Sequence, residues 1–379
     1  MDLIFDENNE NSHINISERR NKGVWLCAPV ILAGAVIVSL SYIIDILFVG
    51  GAEFGIGETS AIAKALYGTG SVINKLISPL LSGGIALYIG GLPALSGGLI
   101  GGMLTGMGVT LSFSSGNTGA ITGIFGSILA GLAAGYSVRL TDTVITLITK
   151  RKSNIAVYIS PIASLIVTVV LIFIADAAAQ IINGLSAVLL AATGEFSKLL
   201  LVVLLSIMIT VDIGGPLYLA ALVYGVASIA TDEPQIMAAV TAAGSVPALS
   251  MGLASLIFRD RFAKRERIFA ISGIFCGLCG LSQVAIPYYA TRLQRVILPC
   301  IAGGVISGGL CFVLGCSAAA PAGGVLSIIG TGGVLYFCLA VFSGVLFSAG
   351  IMGYTLEIVE NSEASEVSNN DTKLQKVTA

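Results

Sequence analysis

Polar and apolar residues in this chain are not interleaved at the spacing of a soluble helix or strand. They are segregated into long blocks. After a polar stretch at residues 1–22, apolar runs occupy about 24–49, 66–90, 96–115, 117–138, 154–175, 199–215, 217–231, 236–258, 268–285, 298–315 and 331–352, with short polar links between them. A helix needs about 20 mainly apolar residues to cross the hydrocarbon layer. The pattern therefore predicts an all-α polytopic membrane protein of about nine to ten transmembrane helices, with re-entrant or broken helices in the second half and some runs, notably 217–231, serving as half-spans. It divides the chain into a polar arm (1–22), a membrane-embedded region (23–353) and a polar acidic tail (354–379) whose composition is that of a disordered segment.

Composition agrees with the blocks. Of 379 residues, 55% are hydrophobic and 11% charged, and the mean hydropathy is +0.95. Soluble domains carry roughly 25% charged residues, so a soluble fold would lack polar surface to cover itself. A net charge of −2 offers no field for nucleic acid. The first apolar run is too long for a signal-peptide core and is expected to stay as an anchor helix. Lys and Arg gather at Arg19/Arg20/Lys22, at Arg139 with Lys150/Arg151/Lys152, and along Arg259–Arg267. By the positive-inside rule all three sites face the cytoplasm, the N-terminus with them, while the link holding Glu53 and Glu58 faces out.

The seven cysteines (Cys27, Cys276, Cys279, Cys300, Cys311, Cys316 and Cys338) are odd in number and mostly inside apolar runs, against a disulfide framework. Cys276 and Cys279 have the spacing of a redox pair but lie mid-run, where a thiolate is poorly solvated. His13 is the only histidine. No cofactor, metal site or catalytic Ser–His or Cys–His pair is expected.

Polar groups inside apolar runs each cost about 2.5–3.5 kcal/mol on insertion scales, which makes them functional candidates. They are Asn74, Asn117, Asp176, Gln180, Asn183, Asp212, Gln283, Arg292 and Arg295. Two of them sit beside helix breakers, in Asp212-Ile213-Gly214-Gly215-Pro216 and in Gly280-Leu281-Ser282-Gln283-Val284-Ala285-Ile286-Pro287-Tyr288-Tyr289. A third breaker cluster, Ala319 to Gly324, has no polar side chain. Backbone freed by such breaks is tolerated at membrane depth only where protein or a water-filled cavity satisfies it. Substrate sites of transporters are built this way, although kinks and loop ends are the plainer alternative. The many Gly-rich stretches, such as 96–108 and 119–136, read as close helix packing.

These motifs resemble the membrane IIC component of fructose-type phosphotransferase-system (PTS) sugar transporters. Gly23 to Pro29 is similar to the family's opening GVSxxxP, and Pro79 to Gly102 to its PVLAGYIAYSIADRPG region. Asp212 to Ala221 resembles DxGGPVNKAA, and Met237 to Phe258 resembles MAAxMVPPLGMALATLLF. Gly280 to Pro287 resembles GITEGAIP, and Gly315 to Gly324 resembles GVTSPAPHGG. The match runs from about Gly23 to Gly350.

The resemblance implies a multi-pass permease of the bacterial plasma membrane that is a homodimer. It takes a sugar or polyol and works with separate IIA and IIB phosphocarrier proteins. It points to a substrate site at Asp212, Gly214, Gly215, Pro216, Tyr218, Gln283, Pro287, Tyr288, Arg295, Gly323 and Gly324. The chain departs from the family at charged positions: Gly91 and Leu92 replace Asp-Arg, Tyr218 and Leu219 replace Asn-Lys, Gln283 replaces Glu, and Ala322 replaces His. Gln283 hydrogen-bonds a hydroxyl but cannot act as a base. Two other readings stay open here: a IIC-like carrier that moves its solute without phosphorylation, and a non-transporting sensor or assembly subunit.

Overall fold

The computed structural model describes residues 16–49, 60–107, 123–149, short pieces between 158 and 170, 194–318, 324–328 and 333–356. Twelve helices are assigned among them: α1 (Ile16–Val49), α2 (Ala61–Lys75), α3 (Ile77–Gly90), α4 (Leu92–Met107), α5 (Gly123–Thr149), α6 (Glu195–Val211), α7 (Pro216–Ala230), α8 (Pro234–Ile257), α9 (Lys264–Leu278), α10 (Ile286–Thr291), α11 (Leu293–Val313) and α12 (Val334–Thr355). No strand occurs among the described residues. Six spans are long and apolar enough to cross a bilayer, with α2 and α3 together forming one of them. The all-α polytopic class holds. A count of nine or ten crossings is not reached within the described residues, and the expected span at 154–175 lies largely outside them, as do Asn117, Asp176, Gln180 and Asn183.

Local chemistry explains where helices start and stop. Helix α1 begins at Ile16, inside the polar arm, where Glu18 and Lys22 form an i,i+4 ion pair of 3.0 Å. Ser60 caps α2 by accepting the Ala63 N–H at 3.1 Å, and its own N–H is held by the Asp45 carboxylate at 2.7 Å. The apolar run 66–90 is divided at Leu76, three residues before Pro79, whose ring cannot follow an uninterrupted helix. Pro216 and Pro234 each open a helix, where the missing N–H costs nothing.

Contacts between remote residues sort the helix ends. At one end, Arg20 Nη2 donates to the Thr291 carbonyl (3.3 Å), Arg265 to the Trp25 carbonyl (3.3 Å), and Arg139 Nε to the Ile89 carbonyl (2.6 Å). Thr355 Oγ1 donates to the Arg295 carbonyl (3.2 Å) and Arg261 to the Leu356 carbonyl at the same end. Described members of all three basic clusters thus share one end of the bundle, and α12 ends there. At the opposite end, Lys198 pairs with Glu233 (2.6 Å) and the Ala318 N–H meets the Pro234 carbonyl (3.2 Å). Helix α8 is the central post, with nearly all its residues buried.

Two elements enter the bundle and turn back. Helices α6 and α7 have 17 and 15 residues, at and below the short limit for a crossing. Both have their outer ends beside the Lys198–Glu233 pair, so they form a hairpin whose tip is Asp212–Gly215. Helix α9 enters from the basic end, and the chain returns there through a 3-10 turn (Ser282–Ala285) and α10. Its two legs are joined at their base by the Arg292–Glu266 ion pair (2.9 Å) and by the Tyr288 hydroxyl, which donates to the Glu266 carbonyl (2.6 Å).

Candidate functional site

The tip of the first hairpin is shaped by its own sequence. Helix α6 ends because Gly214 takes φ +74, a left-handed conformation that costs side-chain-bearing residues roughly 1–2 kcal/mol. Pro216 then restarts the helix. The Asp212 carboxylate is buried, 4% exposed, and faces the Leu217 N–H in the first turn of α7. This is the electropositive end of a helix, where an anion is stabilised and an orphan donor is satisfied. Asp212 Oδ1 has no hydrogen-bond partner among the described residues. A Cβ at Gly215 would fall 1.7 Å from Asp212 Oδ2, so only glycine leaves the carboxylate its place.

The tip of the second hairpin ends α9 with Gly280 at φ +78. The Gly280 N–H meets the Gly277 carbonyl and the Leu281 N–H meets the Cys276 carbonyl, each at 3.0 Å, which is the glycine-terminated cap expected of such an end. The Ser282 hydroxyl donates to the Gly244 carbonyl at 2.6 Å, halfway along α8. Gln283 is half-buried, and its Oε1 has no partner among the described residues.

The tips meet. Tyr289 donates its hydroxyl to the Thr210 carbonyl (2.8 Å), one of the carbonyls left without an intrahelical partner where α6 ends. Tyr218, in the first turn of α7, lies near Ser282, and Tyr67 of α2 packs with Leu281 next to it. The third breaker cluster joins them at Gly324 (φ +59), where a Cβ would come within 2.4 Å of the Gly280 nitrogen and the Leu278 carbonyl. Backbone rests directly on backbone there. Three sequence motifs far apart in the chain thus converge at mid-depth, around two side-chain oxygens available to a ligand.

The candidate residues do not all gather at this point. Asp212, Gly214, Gly215, Tyr218, Gln283 and Gly324 lie at the tips, with Pro216 opening α7 and Pro287 buried in α10 behind them. Tyr288 points instead into an aromatic cluster with Trp25 (5.3 Å), Phe262 and Phe269 near the basic end. Arg295 is exposed at the start of α11, beside Thr355. Gly323 and Ala322 lie outside the described residues. Tyr67, which sequence reasoning passes over, belongs to the surroundings of the site: it stacks on Tyr42 (6.1 Å between rings) and packs with Leu281 and Leu326. A tyrosine in a membrane helix carries no signal of its own, and only the fold brings it to Leu281. The seven cysteines are free, and among the described residues no group of three or more His, Cys, Asp or Glu side chains is placed to hold a metal.

No protein-family profile matches the chain. It is similar to individual proteins, however. It is 31% identical over 305 residues to the fructose permease IIC component of Bacillus amyloliquefaciens, covering 80% of this chain and 96% of that one. It is 29% identical over 333 residues to the fructose-specific PTS EIIABC component of Bacillus subtilis, covering 87% of this chain and half of that longer protein. It is 27% identical over 354 residues to the fructose-specific PTS EIIC component of Haloferax volcanii, covering 89% of this chain and 91% of that one.

Proposed function

The chain belongs to the fructose-type IIC permease family of the phosphotransferase system, and from that premise we propose that it carries a sugar or polyol across the membrane through the junction of its two hairpins. The observation that carries this reading is the meeting of the Asp212–Gly215 and Gly280–Gln283 tips at mid-depth, with Asp212 Oδ1 and Gln283 Oε1 buried and without a partner among the described residues. Unsatisfied buried polar atoms cost about 1–3 kcal/mol each, and the hydroxyls of a sugar would satisfy both. Broken helices that present backbone and polar groups at the midplane are a general solution for solute sites.

The partners follow from the relatives. The Bacillus subtilis protein is an EIIABC component, and a Vibrio cholerae relative is an EIIB'BC component. This chain would meet separate IIA and IIB phosphocarriers at its basic end, which under the positive-inside rule is the cytoplasmic end and holds both termini of the membrane region. A homodimer is the expected assembly of the family.

The replacement of Glu by Gln283 and of His by Ala322 leads to a chemical prediction. A general base typically contributes about 10²–10⁴-fold in rate, so sugar phosphorylation by this chain is expected to be slight even where uptake is good. Membranes containing the protein would be given radiolabelled fructose and phosphorylated IIB, with uptake and sugar phosphate measured in parallel. Uptake with little phosphate is expected, and Gln283→Glu with Ala322→His should raise phosphorylation. Robust phosphate transfer by the unmodified protein would overturn this account of the site, and absence of both uptake and binding would overturn the transport reading.

A further inference from the structure

Helix α2 carries a charge where a lipid-facing helix would not. Together α2 and α3 run through the bundle from Ala61 to Gly90, which puts Lys75 at their midpoint. Lys75 is exposed, and no ion pair involves it among the described residues. A lysine at the centre of a bilayer costs about 2.5–3.5 kcal/mol even on insertion scales, and such residues face a bundle interior or a water-filled cavity.

The neighbours of Lys75 on the helix share its character. At roughly 100° per residue, Asn74, Tyr67, Ser71, Lys64 and Lys75 fall within an arc of about 100°. Ala65, Val72 and Ile62 occupy the other exposed flank; Val72 and Ile62 are 58% and 61% exposed, as lipid-facing residues are. The buried edge between them, Ala63 and Gly70, packs on α1, with Val38 against Gly70. The polar flank is therefore a side of α2, and its direction is known because Tyr67 is on it. Tyr67 packs with Leu281 at the tip of the second hairpin, next to Ser282. At the edge of the flank nearest α1, the buried Asn74 Oδ1 lies against Gly34 and has no hydrogen-bond partner among the described residues.

We infer that the polar flank of α2, with Lys75 at its deepest point, is the amino-terminal wall of a hydrated path leading to the site at Tyr218 and Ser282. Its groups, an ammonium, a hydroxyl, a carboxamide and a phenol, suit a polyhydroxylated solute. The inference deepens the permease reading and rests on it for the solute alone; the hydration of the flank does not depend on it.

Single cysteines at Ser71, Lys75 and Val72 test it, in a Cys338→Ser background because Cys338 is the least buried native thiol. A charged, membrane-impermeant thiosulfonate is applied to right-side-out and to inverted vesicles. Ser71→Cys and Lys75→Cys should react about 10-fold or more faster than Val72→Cys, since the reactive thiolate forms only where water solvates it. Fructose should slow labelling at Lys75→Cys. Equal rates at all three positions, or inert Ser71→Cys and Lys75→Cys, would overturn the hydrated path. Disulfide-linked dimers through Ser71→Cys would assign the flank to a second copy and overturn it as well. Fast labelling that fructose leaves unchanged would overturn the assignment to the solute. The labelling arm needs no transport, so it can pass or fail even in a protein that carries no fructose.

Discussion

In the amino-terminal half, α3 is clasped by α1, α4 and α5 through glycines that leave no room for a side chain. A Cβ at Gly102 would come 2.4 Å from the Ser78 carbonyl, at Gly131 2.6 Å from the Ser82 carbonyl, and at Gly84 2.6 Å from the Gly23 carbonyl. In the carboxy-terminal half, Gly214, Gly280 and Gly324 take positive φ and end or join helices. One residue type thus does two jobs. The packed half breaks only near helix ends, at Leu76 and at Gly91 (φ +73), and gains from close van der Waals approach. The broken half releases backbone groups at mid-depth, and Asp212, Ser282 and Tyr289 satisfy some of them. The first arrangement makes a scaffold, and the second leaves polar atoms free for a solute.

The sharpest way to break this comparison is to fill a packing glycine. Gly102→Leu must push α4 away from Ser78 and Pro79, which are backbone neighbours that cannot rotate aside. Overpacking of this kind costs about 1–3 kcal/mol and sometimes more. Thermal unfolding in mild detergent should show a large fall in Tm or no folded protein. Gly309→Leu is the control, since nothing lies within 4 Å of its Cβ position, and its Tm should hold. A stable Gly102→Leu protein would mean that the close approach of α3 and α4 is not what holds this half together.

A smaller effect, of a different kind, is expected at the hairpin tip. In Gly215→Ala the new methyl would occupy the space of the Asp212 carboxylate. The carboxylate must swing off the start of α7, and a site that uses it loses a charged hydrogen bond of about 1.5–3 kcal/mol, or roughly 10- to 150-fold in affinity. Fructose binding should fall accordingly while Tm changes little. Asp212→Asn, which keeps the shape, should weaken binding less. Equal loss of Tm and binding in Gly215→Ala would show that the tip belongs to the scaffold after all.

Much of this division is legible in the sequence, for physical reasons that differ by region. Apolar blocks placed the helices because hydrocarbon demands about 20 apolar residues in a row, and Gly-Pro pairs beside Asp212 and Gln283 marked the breaks because only those residues end a helix so abruptly. The run 217–231 reads as a half-span and the breakers mark where the chain turns, but how the runs pair into hairpins was not legible. The runs 199–215 and 217–231 have the hydropathy of spans, and only the Lys198–Glu233 pair shows that their outer ends meet. Nor could hydropathy separate Tyr288 from Tyr289. They are adjacent and almost fully buried, yet one hydroxyl reaches Glu266 near the basic end and the other reaches Thr210 at the hairpin junction. Lys75 lies inside the apolar run 66–90 but is not among the polar candidates read from the sequence, and its meaning depends on which way α2 faces.

The smallest expected effect isolates the contact between the two hairpins. Tyr289→Phe keeps the ring, which is 1% exposed and fills its place in the core, and removes only the hydroxyl that donates to the Thr210 carbonyl. That carbonyl belongs to the last turn of α6, so no later residue of its helix can replace the lost donor. A buried acceptor left unpaired costs about 1–3 kcal/mol, and the low end is expected because glycine at 214 and 215 lets the tip adjust. The consequence should be divided unevenly. Unfolding of the whole bundle should shift by a few degrees, since α8, α11 and α12 remain packed as before. The hairpin tips, freed from one another, should admit solute with a higher KM and exchange their amide protons faster at Ile213–Gly215 than at the middle of α8. If Tyr289→Phe lowers Tm sharply and leaves KM and exchange at the tip unchanged, the hydroxyl serves the scaffold and the junction of the hairpins is held by something other than this bond.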